Sequence, residues 1–161
     1  MKQEKPIVIR PAAAGDTEAI VAITGEVFGP VCIETMIEKM VGQGGADWLA
    51  VKGRAIRRDL EANLAGCFVA ECEGKVVGYV TTRINRPAGR GRIADLAVSA
   101  AFQGRGLGRR LLIRAIDHFR SLELAQAKIE TLACNAAAEH LYRAMGFREV
   151  VRQIHFIMPL K

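Results

Sequence analysis

Apolar residues recur along this chain with two spacings, one typical of strands and one typical of helices. A largely apolar run occupies Ile93–Val98 and has β-branched residues at both ends, which predicts a strand buried on both faces. A turn with three glycines follows, and apolar positions then recur every three or four residues from Leu107 to Leu122, which predicts a helix. This strand, turn and helix form the centre of the predicted fold.

The segments before this centre show the same two patterns. Glu73-Gly74 lies between two strand-like runs, where a tight turn needs positive φ, so those runs are expected to form an antiparallel hairpin. The lone Trp48 is expected in the core rather than in a substrate cleft. The elements predicted here are a strand at Ile7–Arg10, a helix that Asp16 caps and Gly29-Pro30 ends, helical segments at Cys32–Val41 and Asp47–Asn63, and strands at Gly66–Cys72 and Lys75–Ile84.

The segments after the centre continue with a strand, a helix and a final strand pair. A strand is predicted at Lys128–Cys134, and the strand–helix–strand order implies that it lies parallel to the central strand. Asn135–Met145 is predicted as a helix with Asn135 as its N-cap and Gly146 just past its C-terminus. Phe147–Met158 is predicted to form the last strand pair. No repeat or linker interrupts this order, so residues 1–161 are expected to form one domain.

The charge of the chain points to an anionic partner. The formal net charge is +6 and the sequence pI is about 9.5. Arginines cluster around the glycine turn, at Arg86, Arg90, Arg92, Arg105, Arg109, Arg110 and Arg114. This clustering favours a discrete polyanionic ligand, and a solvated basic face is the alternative. Aromatic residues make up 6% of the chain and offer little base-stacking surface, which argues against nucleic-acid binding.

Cysteine spacing and hydropathy indicate the compartment. Cys32, Cys67, Cys72 and Cys134 form no C-x-x-C pair, so neither a zinc ribbon nor a redox motif is indicated and no metal is expected. The first residues lack the apolar segment of a secretory signal, and no apolar run is long enough to cross a membrane. We therefore expect a cytoplasmic protein with reduced thiols and no membrane partner.

The glycine turn has the chemistry of a phosphate cradle. Glycine lets backbone N–H groups approach an oxyanion without a Cβ in the way, and the first turn of the following helix adds free donors and partial positive charge. A Walker A loop is excluded because Arg109-Arg110 follows Gly108 where lysine and a hydroxyl residue belong. A dinucleotide fingerprint is excluded because Arg109 stands where the third glycine belongs.

Two motifs resemble those of one family. Gln103-Gly-Arg-Gly106-Leu-Gly108 resembles the Q/R-x-x-G-x-G/A signature of the GNAT superfamily of N-acetyltransferases, in which this loop holds the pyrophosphate of acetyl-CoA. The segment Asn135–Phe147 is similar to that family's N-x-x-A-x-x-L/F-Y-x-x-x-G-F segment in every anchor position. The motifs occur in the family's order, separated by one helix and one strand, so the chain is identified as a member by resemblance.

The resemblance implies a fold, a co-substrate and a set of binding residues. The implied fold is α+β, with a mostly antiparallel sheet of six to seven strands, flanking helices and central strands that splay apart around the cofactor. Acetyl-CoA is the implied co-substrate and an amine the implied acceptor; a homodimer is left open. The implied cofactor-binding residues are Leu96, Ala97 and Val98 for the pantetheine arm, Gln103, Gly104, Arg105, Gly106, Leu107, Gly108 and Arg109 for the pyrophosphate, and Asn135, Ala138 and Tyr142 near the pantetheine and sulfur.

The reaction itself narrows the candidate catalytic residues. Acyl transfer to an amine needs a neutral amine, a stabilised oxyanion and a proton for the departing thiolate. By resemblance Tyr142 is the general acid, a role that suits a phenol; core packing against Phe147 is the alternative. Many relatives carry a glutamate before the central Leu-x-Val, where this chain has Ala94 and then Asp95. Asp95 is the candidate base, directly or through a water; a structural carboxylate bonded to backbone or to Arg92 is the alternative.

The predicted function is transfer of an acetyl group from acetyl-CoA to a primary amine by direct attack in a ternary complex. The alternatives are a non-catalytic acetyl-CoA-binding regulatory module and a basic nucleic-acid-binding protein. The acceptor wall is expected from Gly25–Arg58 and the last strand pair. Carboxylates there either attract a cationic amine or lie on solvated helix faces; they are Glu26, Glu34, Glu38, Asp47 and Asp59. His118 and His140 are expected on exposed helix faces, and Cys134 is expected to be buried.

Overall fold

The computed structural model of the protein describes residues 6–160. Its strands are β1 (Ile7–Pro11), β2 (Phe68–Cys72), β3 (Lys75–Asn85), β4 (Arg90–Val98) and β5 (Gln126–Ile129). Its longer helices are α1 (Thr17–Val27), α2 (Ile33–Val41), α3 (Trp48–Asn63), α4 (Leu107–Ser121) and α5 (Ala136–Ala144). Each of these helices begins and ends within two residues of its predicted range, because the helical period is long and strongly marked in the sequence.

The strands form one sheet in the order β1-β2-β3-β4-β5. Neighbours from β1 to β4 are antiparallel, and β5 is parallel to β4, which confirms the predicted crossover through α4. The predicted hairpin is also confirmed. Glu73 and Gly74 turn the chain between β2 and β3 with φ of 51° and 75°, the left-handed conformation that a two-residue turn of this type requires.

Helices cover the two faces of the sheet and form two separate cores. On one face, α4 packs Leu111, Leu112 and Phe119 against β2, β3 and β4. On the other face, α1 and α3 pack apolar side chains against Tyr79 and Ala97. The sheet is therefore buried on both faces near its centre, which is why β2 to β4 carry such long apolar runs.

A bulge in β4 exchanges the faces that its side chains occupy. Thr81 lies opposite Asp95 and Thr82 lies opposite Ile93, so Ala94 has no counterpart in β3. Ile93 packs in the α4 core, whereas Ala97, four residues later, packs in the core of α1 and α3. In a strand without a bulge, two residues four positions apart would lie on the same face.

The predicted last strand pair does not form in the structure. Residues 147–160 contain neither helix nor strand, so the described part of the chain has five strands instead of six or seven. Val150 is 94% exposed and Phe156 is 91% exposed. The alternation of apolar and polar residues shows only that a segment can offer an apolar face. A strand also needs a neighbouring edge to pair with, and this segment pairs with none in residues 6–160.

Two further predictions are corrected. Trp48 is half-buried rather than in the core, because it is the first residue of α3 and follows the exposed segment 42–47. Asp16 precedes α1 but does not cap it: its carboxylate accepts hydrogen bonds from Arg10 at 2.7 and 2.9 Å and from the Ala13 amide at 2.8 Å. A guanidinium holds this carboxylate more strongly than helix amides would. No helix within residues 6–160 has the length and hydropathy of a membrane span.

Candidate active site

β4 and β5 separate just beyond the middle of β4. Their parallel pairing is limited to Arg90–Ile93 and Gln126–Ile129. From Asp95 to Val98, β4 pairs only with β3 on its other edge. The splay that the resemblance implies is therefore present, and the backbone of Leu96, Ala97 and Val98 borders it. Because these residues have no strand partner on that edge within residues 6–160, their peptide groups are available to a ligand there.

The loop after β4 is fastened at both of its ends. The Gln103 side-chain amide donates a hydrogen bond to the Val98 carbonyl at 2.9 Å. The Glu26 carboxylate, on α1, accepts hydrogen bonds from the Ser99 hydroxyl at 3.0 Å and from the Ala100 amide at 2.7 Å. Glu26 was a candidate for the acceptor wall, but its hydrogen bonds make it an anchor of this loop. Gln103 likewise acts through its side chain on the strand that precedes it.

The start of α4 presents a series of backbone N–H groups. Gly106 has a φ of 71° and Gly104 a φ of 75°, and the first helical bond runs from the Arg110 amide to the Gly106 carbonyl at 3.1 Å. Within residues 6–160, the amides of 104–109 donate to no protein acceptor. Consecutive free amides at a helix N-terminus form a site for an anion such as a pyrophosphate.

The side chains of this loop divide between the core and the surface. Leu107 is buried in the α4 core, so only its backbone can reach a ligand. Arg109 is exposed. Arg105 is also exposed and lies over the Phe102 ring with 5.2 Å between the guanidinium carbon and the ring centroid. Two arginines beside the free amides add positive charge where phosphate oxygens would lie.

α5 begins beside the splay and packs against the loop. Asn135 is the N-cap, as predicted: its side-chain oxygen accepts a hydrogen bond from the Ala138 amide at 3.2 Å. Leu141 lies near Gly108, where an added Cβ would be 3.5 Å from Leu141 Cδ2. The two sequence motifs therefore meet in the structure. The side-chain amide nitrogen of Asn135 has no acceptor among residues 6–160 and can donate to a ligand.

Tyr142 lies on α5 and is largely buried. Its ring contacts Phe147 edge-on with 6.2 Å between centroids. Burial, and to a smaller extent the negative charge of Asp95, raise the pKa of Tyr142 to about 12. The core-packing alternative thus holds in part, because the ring does pack on Phe147. The hydroxyl has no hydrogen-bond partner within residues 6–160 and keeps its proton across the physiological pH range.

Asp95 is buried on the α3 face of β4. Lys52 of α3 forms an ion pair with it, with 2.5 Å between Nζ and Oδ1. Burial raises the pKa of Asp95, and the neighbouring charge of Lys52 opposes that increase. Arg92, the partner considered from the sequence, instead pairs with Glu130 at 2.6 Å. A carboxylate with a raised pKa accepts a proton more readily than an ordinary aspartate.

Lys52 and Glu130 are the charged residues of this region that the sequence motifs did not indicate. Lys52 lies far from Asp95 in the chain, and only the packing of α3 on the sheet brings them together. Glu130 directly follows β5, where the splay begins. Burial alone would raise the pKa of Glu130, but hydrogen bonds from Lys128 and Arg92 bring it below the ordinary glutamate value. Glu130 is therefore a weaker proton acceptor than Asp95.

Several other sequence-based expectations are wrong or changed. His118 turns inward because α4 packs closely on β2, and its Nε2 is buried with no hydrogen-bond partner among residues 6–160. This burial lowers the pKa of His118. Cys134 is exposed, because β5 ends at Ile129 and leaves it in a loop. Asp47 caps α3 and accepts from the Ala50 amide. Asp59 is buried and ion-paired with Arg83. His140 is exposed, as expected.

Comparisons with known proteins agree with this geometry. A model of the acetyltransferase (GNAT) family matches residues 33–147. Mycothiol acetyltransferase of Streptomyces avermitilis is 32% identical over 123 residues, which cover 66% of this chain and 40% of that protein. N-acetylaspartate synthetase of Rattus norvegicus is 29% identical over 94 residues, which cover 58% of this chain and 31% of that protein. The chain thus spans less than half the length of these two relatives.

A solved structure shows the same fold at low sequence identity. The PaiA N-acetyltransferase of Thermoplasma acidophilum, in complex with coenzyme A, matches with a TM-score of 0.72 and 16% identity over 89% of this chain and 90% of that chain. The family model covers well over half of the chain and both motifs of the site. The chain therefore belongs to the acetyltransferase (GNAT) family.

Proposed function

We propose that this protein transfers an acetyl group from acetyl-CoA to a primary amine, by direct attack while both substrates are bound. The observation that carries the proposal is the series of free backbone amides at 104–109, next to a strand edge that lacks a partner on the splay side within residues 6–160. A cradle for a diphosphate and an edge for an amide-containing arm suit the two ends of coenzyme A. The named relatives and the solved complex with coenzyme A support the same substrate.

In this proposal each part of the site holds one part of the co-substrate. The amides of 104–109, with Arg105 and Arg109, bind the diphosphate. The backbone of Leu96–Val98 and the free side-chain nitrogen of Asn135 hold the pantetheine arm, with Ala138 beside it. When bound, acetyl-CoA supplies a thioester, an acyl group already activated towards an amine. The glycines of the loop contribute only backbone amides, and its two arginines add positive charge.

The chain's own groups then handle the charges and protons of the transfer. A backbone N–H at Leu96–Val98 donates a hydrogen bond to the thioester oxygen as negative charge develops there. Asp95, directly or through a water, accepts the proton that the amine nitrogen loses as its bond to the acyl carbon forms. Tyr142 donates a proton to the sulfur as the carbon–sulfur bond breaks. Alignment of the two substrates supplies much of the acceleration, up to about 7–11 kcal/mol.

Buried thiols elsewhere in the protein support the match between Tyr142 and sulfur. Burial raises the pKa of Cys32 and of Cys67 to about 11 each. We expect burial of the coenzyme sulfur beside Tyr142 to raise the pKa of that thiol in the same direction. Proton transfer between groups of similar pKa needs little additional free energy.

The test is coenzyme release measured over a panel of amines, with wild type and Tyr142→Phe. The variant keeps the aromatic contact with Phe147 and removes only the hydroxyl. We expect kcat to fall about 100-fold or more, while the affinity for acetyl-CoA measured by calorimetry stays within about twofold. Binding of acetyl-CoA with no turnover of any amine would favour the regulatory-module alternative. Absence of binding would contradict the proposed function altogether.

A further inference from the structure

Three cationic side chains form a row across the sheet on its α3 face. The strand register places Arg83 of β3 opposite Arg92 of β4, and Arg92 opposite Lys128 of β5. Directly opposed residues on neighbouring strands point to the same face and have Cβ atoms about 5 Å apart. Like charges in these positions repel one another, so the row is favourable only with negative charge beside it.

Two carboxylates balance part of this row. Asp59 of α3 accepts hydrogen bonds from Arg83 Nε at 2.5 Å and Nη2 at 3.0 Å. Glu130 accepts one from Arg92 Nε at 2.6 Å and lies 2.8 Å from Lys128 Nζ. Arg83 Nη1 has no acceptor within the part of the chain that the structure describes. Cations still outnumber carboxylates, and the three cationic side chains remain partly exposed.

Arg83, at one end of the row, also lines an open cleft of about 470 Å³ between α3 and β3. Arg58, Asn63 and Arg83 contribute the polar side chains that line it, together with the buried Asp59. Arg58 is exposed and makes no hydrogen bond or ion pair with any described residue. An unpaired arginine beside a row that is already cationic leaves this cleft with a positive charge that nothing in residues 6–160 neutralises.

Given the proposed function, we infer that the acceptor is an amine that also carries a carboxylate, and that Arg58, Arg83, Arg92 and Lys128 bind the carboxylate. The row lies on the same face as Asp95, at the closed end of the splay, on the side of the sheet opposite α4. A guanidinium pair suits a carboxylate because its planar N–H donors match the two oxygens. This differs from one of the two sequence-based alternatives, in which carboxylates of this wall attract a cationic amine.

The geometry also fixes how far the carboxylate lies from the reacting nitrogen. Because Ala94 is bulged, Arg92 and Ala97 lie opposite Arg83 and Tyr79, which are four residues apart on β3, or about 13 Å along the strand. The carboxylate of an α-amino acid is too close to its own amine to bridge this span. An extended peptide advances about 3.4 Å per residue. A peptide N-terminus with an acidic side chain at its third or fourth position therefore fits, with the long cationic side chains covering the remainder.

The experiment measures peptide binding to the protein saturated with coenzyme A, by calorimetry. The probes are two tetrapeptide amides that differ only in glutamate or glutamine at the fourth position, and a third with glutamate at the first position. We expect the fourth-position glutamate to bind at least about tenfold more tightly than glutamine, and the first-position glutamate to show no such gain. Coenzyme A binding is titrated first, so that a failure of the proposed function is seen separately. If coenzyme A does not bind, the same peptides are compared on the protein without it.

Matched variants locate the effect. Arg58→Gln and Lys128→Gln should each reduce the preference for glutamate severalfold, whereas Glu130→Gln should increase it by removing a competing carboxylate. Arg120→Gln, an equal loss of charge on the α4 face, should leave the preference within twofold. Equal binding of the glutamate and glutamine peptides to wild type would overturn the inference. So would equal effects of Arg58→Gln and Arg120→Gln, which would show only a response to net charge.

Discussion

At the scale of single residues, the site depends on the pair formed by Asp95 and Tyr142. The carboxylate lies close enough for its charge to raise the pKa of the phenol, although burial is the larger cause. Lys52 holds the carboxylate and partly offsets its charge. The proposed base and acid are therefore coupled electrostatically, and a change at one should be measurable at the other.

Asp95→Asn provides that measurement. A general acid must be protonated, so activity is lost as pH rises through its pKa. Removing the negative charge of Asp95 lowers the pKa of Tyr142, and the alkaline limb of the kcat profile should move to lower pH. The maximal rate should also fall, because the amide cannot accept a proton. Glu130→Gln serves as the comparison and should leave the alkaline limb in place; an unchanged limb in Asp95→Asn would contradict the coupling.

The motifs identified Tyr142 and the glycine loop from the sequence because those residues are close together in the chain. Lys52 could not be assigned to Asp95 in that way, since the contact depends on how α3 lies on the sheet. The two ion pairs of α3 with the sheet explain that orientation. Lys52 and Asp59 are seven residues apart, about 10 Å along the helix. They pair with Asp95 and Arg83, which lie on neighbouring strands and are offset by two residues, about 7 Å, along the strand direction.

At the scale of elements, the junction between the glycine loop and α4 determines whether the cradle forms. Gly106 has a φ of 71° with open space at its Cβ position, whereas Gly108 lies within the helix, with ordinary contact distance to Leu141. The two glycines therefore differ in what they do. Gly106 is required by backbone conformation, and Gly108 is not.

Substitution by alanine at these two positions tests that difference. Gly106→Ala places a Cβ in a left-handed conformation, and we expect a loss of about 1–2 kcal/mol in stability together with weaker coenzyme A binding. Gly108→Ala should leave stability equal or slightly higher, since alanine favours the helix by up to about 1 kcal/mol. Urea denaturation and calorimetry measure the two effects. A similar loss in both variants would contradict the assignment.

The ion pair between Arg10 of β1 and Asp16, which directly precedes α1, makes a pH-dependent contribution to the free energy of unfolding. Hydrogen bonds from Arg10 lower the pKa of Asp16, so its contribution is present above the unfolded-state value of about 3.9 and is lost as pH falls through the lower folded value. Asp16→Asn should cost about 1–2 kcal/mol at pH 7, and the difference from wild type should shrink below about pH 4.

A surface ion pair supplies the control for this effect. Asp117 pairs with Arg120, and both side chains are well exposed. Asp117→Asn should change stability by less than about 1 kcal/mol, with little dependence on pH. Denaturation curves at pH 7 and pH 3 for both variants distinguish the outcomes. A constant difference for Asp16→Asn across this range would show that the depressed pKa does not stabilise the fold.

At the scale of the whole molecule, the sheet and its helices follow from the sequence, whereas the C-terminal segment does not. Helix periodicity, the Glu73-Gly74 turn and the strand–helix–strand order each depend on local pattern or on general handedness, and they were predicted correctly. The last strands depend on an edge to pair with, which no local pattern specifies. The contacts of Glu130 with Arg92 and Lys128 were missed for the same reason, because strand register brings these residues together.

Limited proteolysis tests the C-terminal segment directly. Trypsin cleaves after arginine where backbone can leave its surroundings, and Arg148 and Arg152 lie in the stretch without helix or strand. We expect cleavage after one of these arginines well before cleavage within the helices, and the fragment that ends at Arg148 or Arg152 should remain folded. Resistance of both sites would show that the segment pairs with the sheet, as its alternation of apolar and polar residues predicts.

Ala94, the extra residue of the bulge in β4, determines which face of the sheet each later position of the strand occupies. Downstream of it, even-numbered positions of β4 point towards α4 and odd-numbered positions towards α3, the reverse of the upstream order. Deleting Ala94 would restore regular alternation and leave Ile93 opposite Thr82 and Asp95 opposite Thr81, each on its present face. Substitutions in this strand can therefore tune either side of the site without exchanging the two sides.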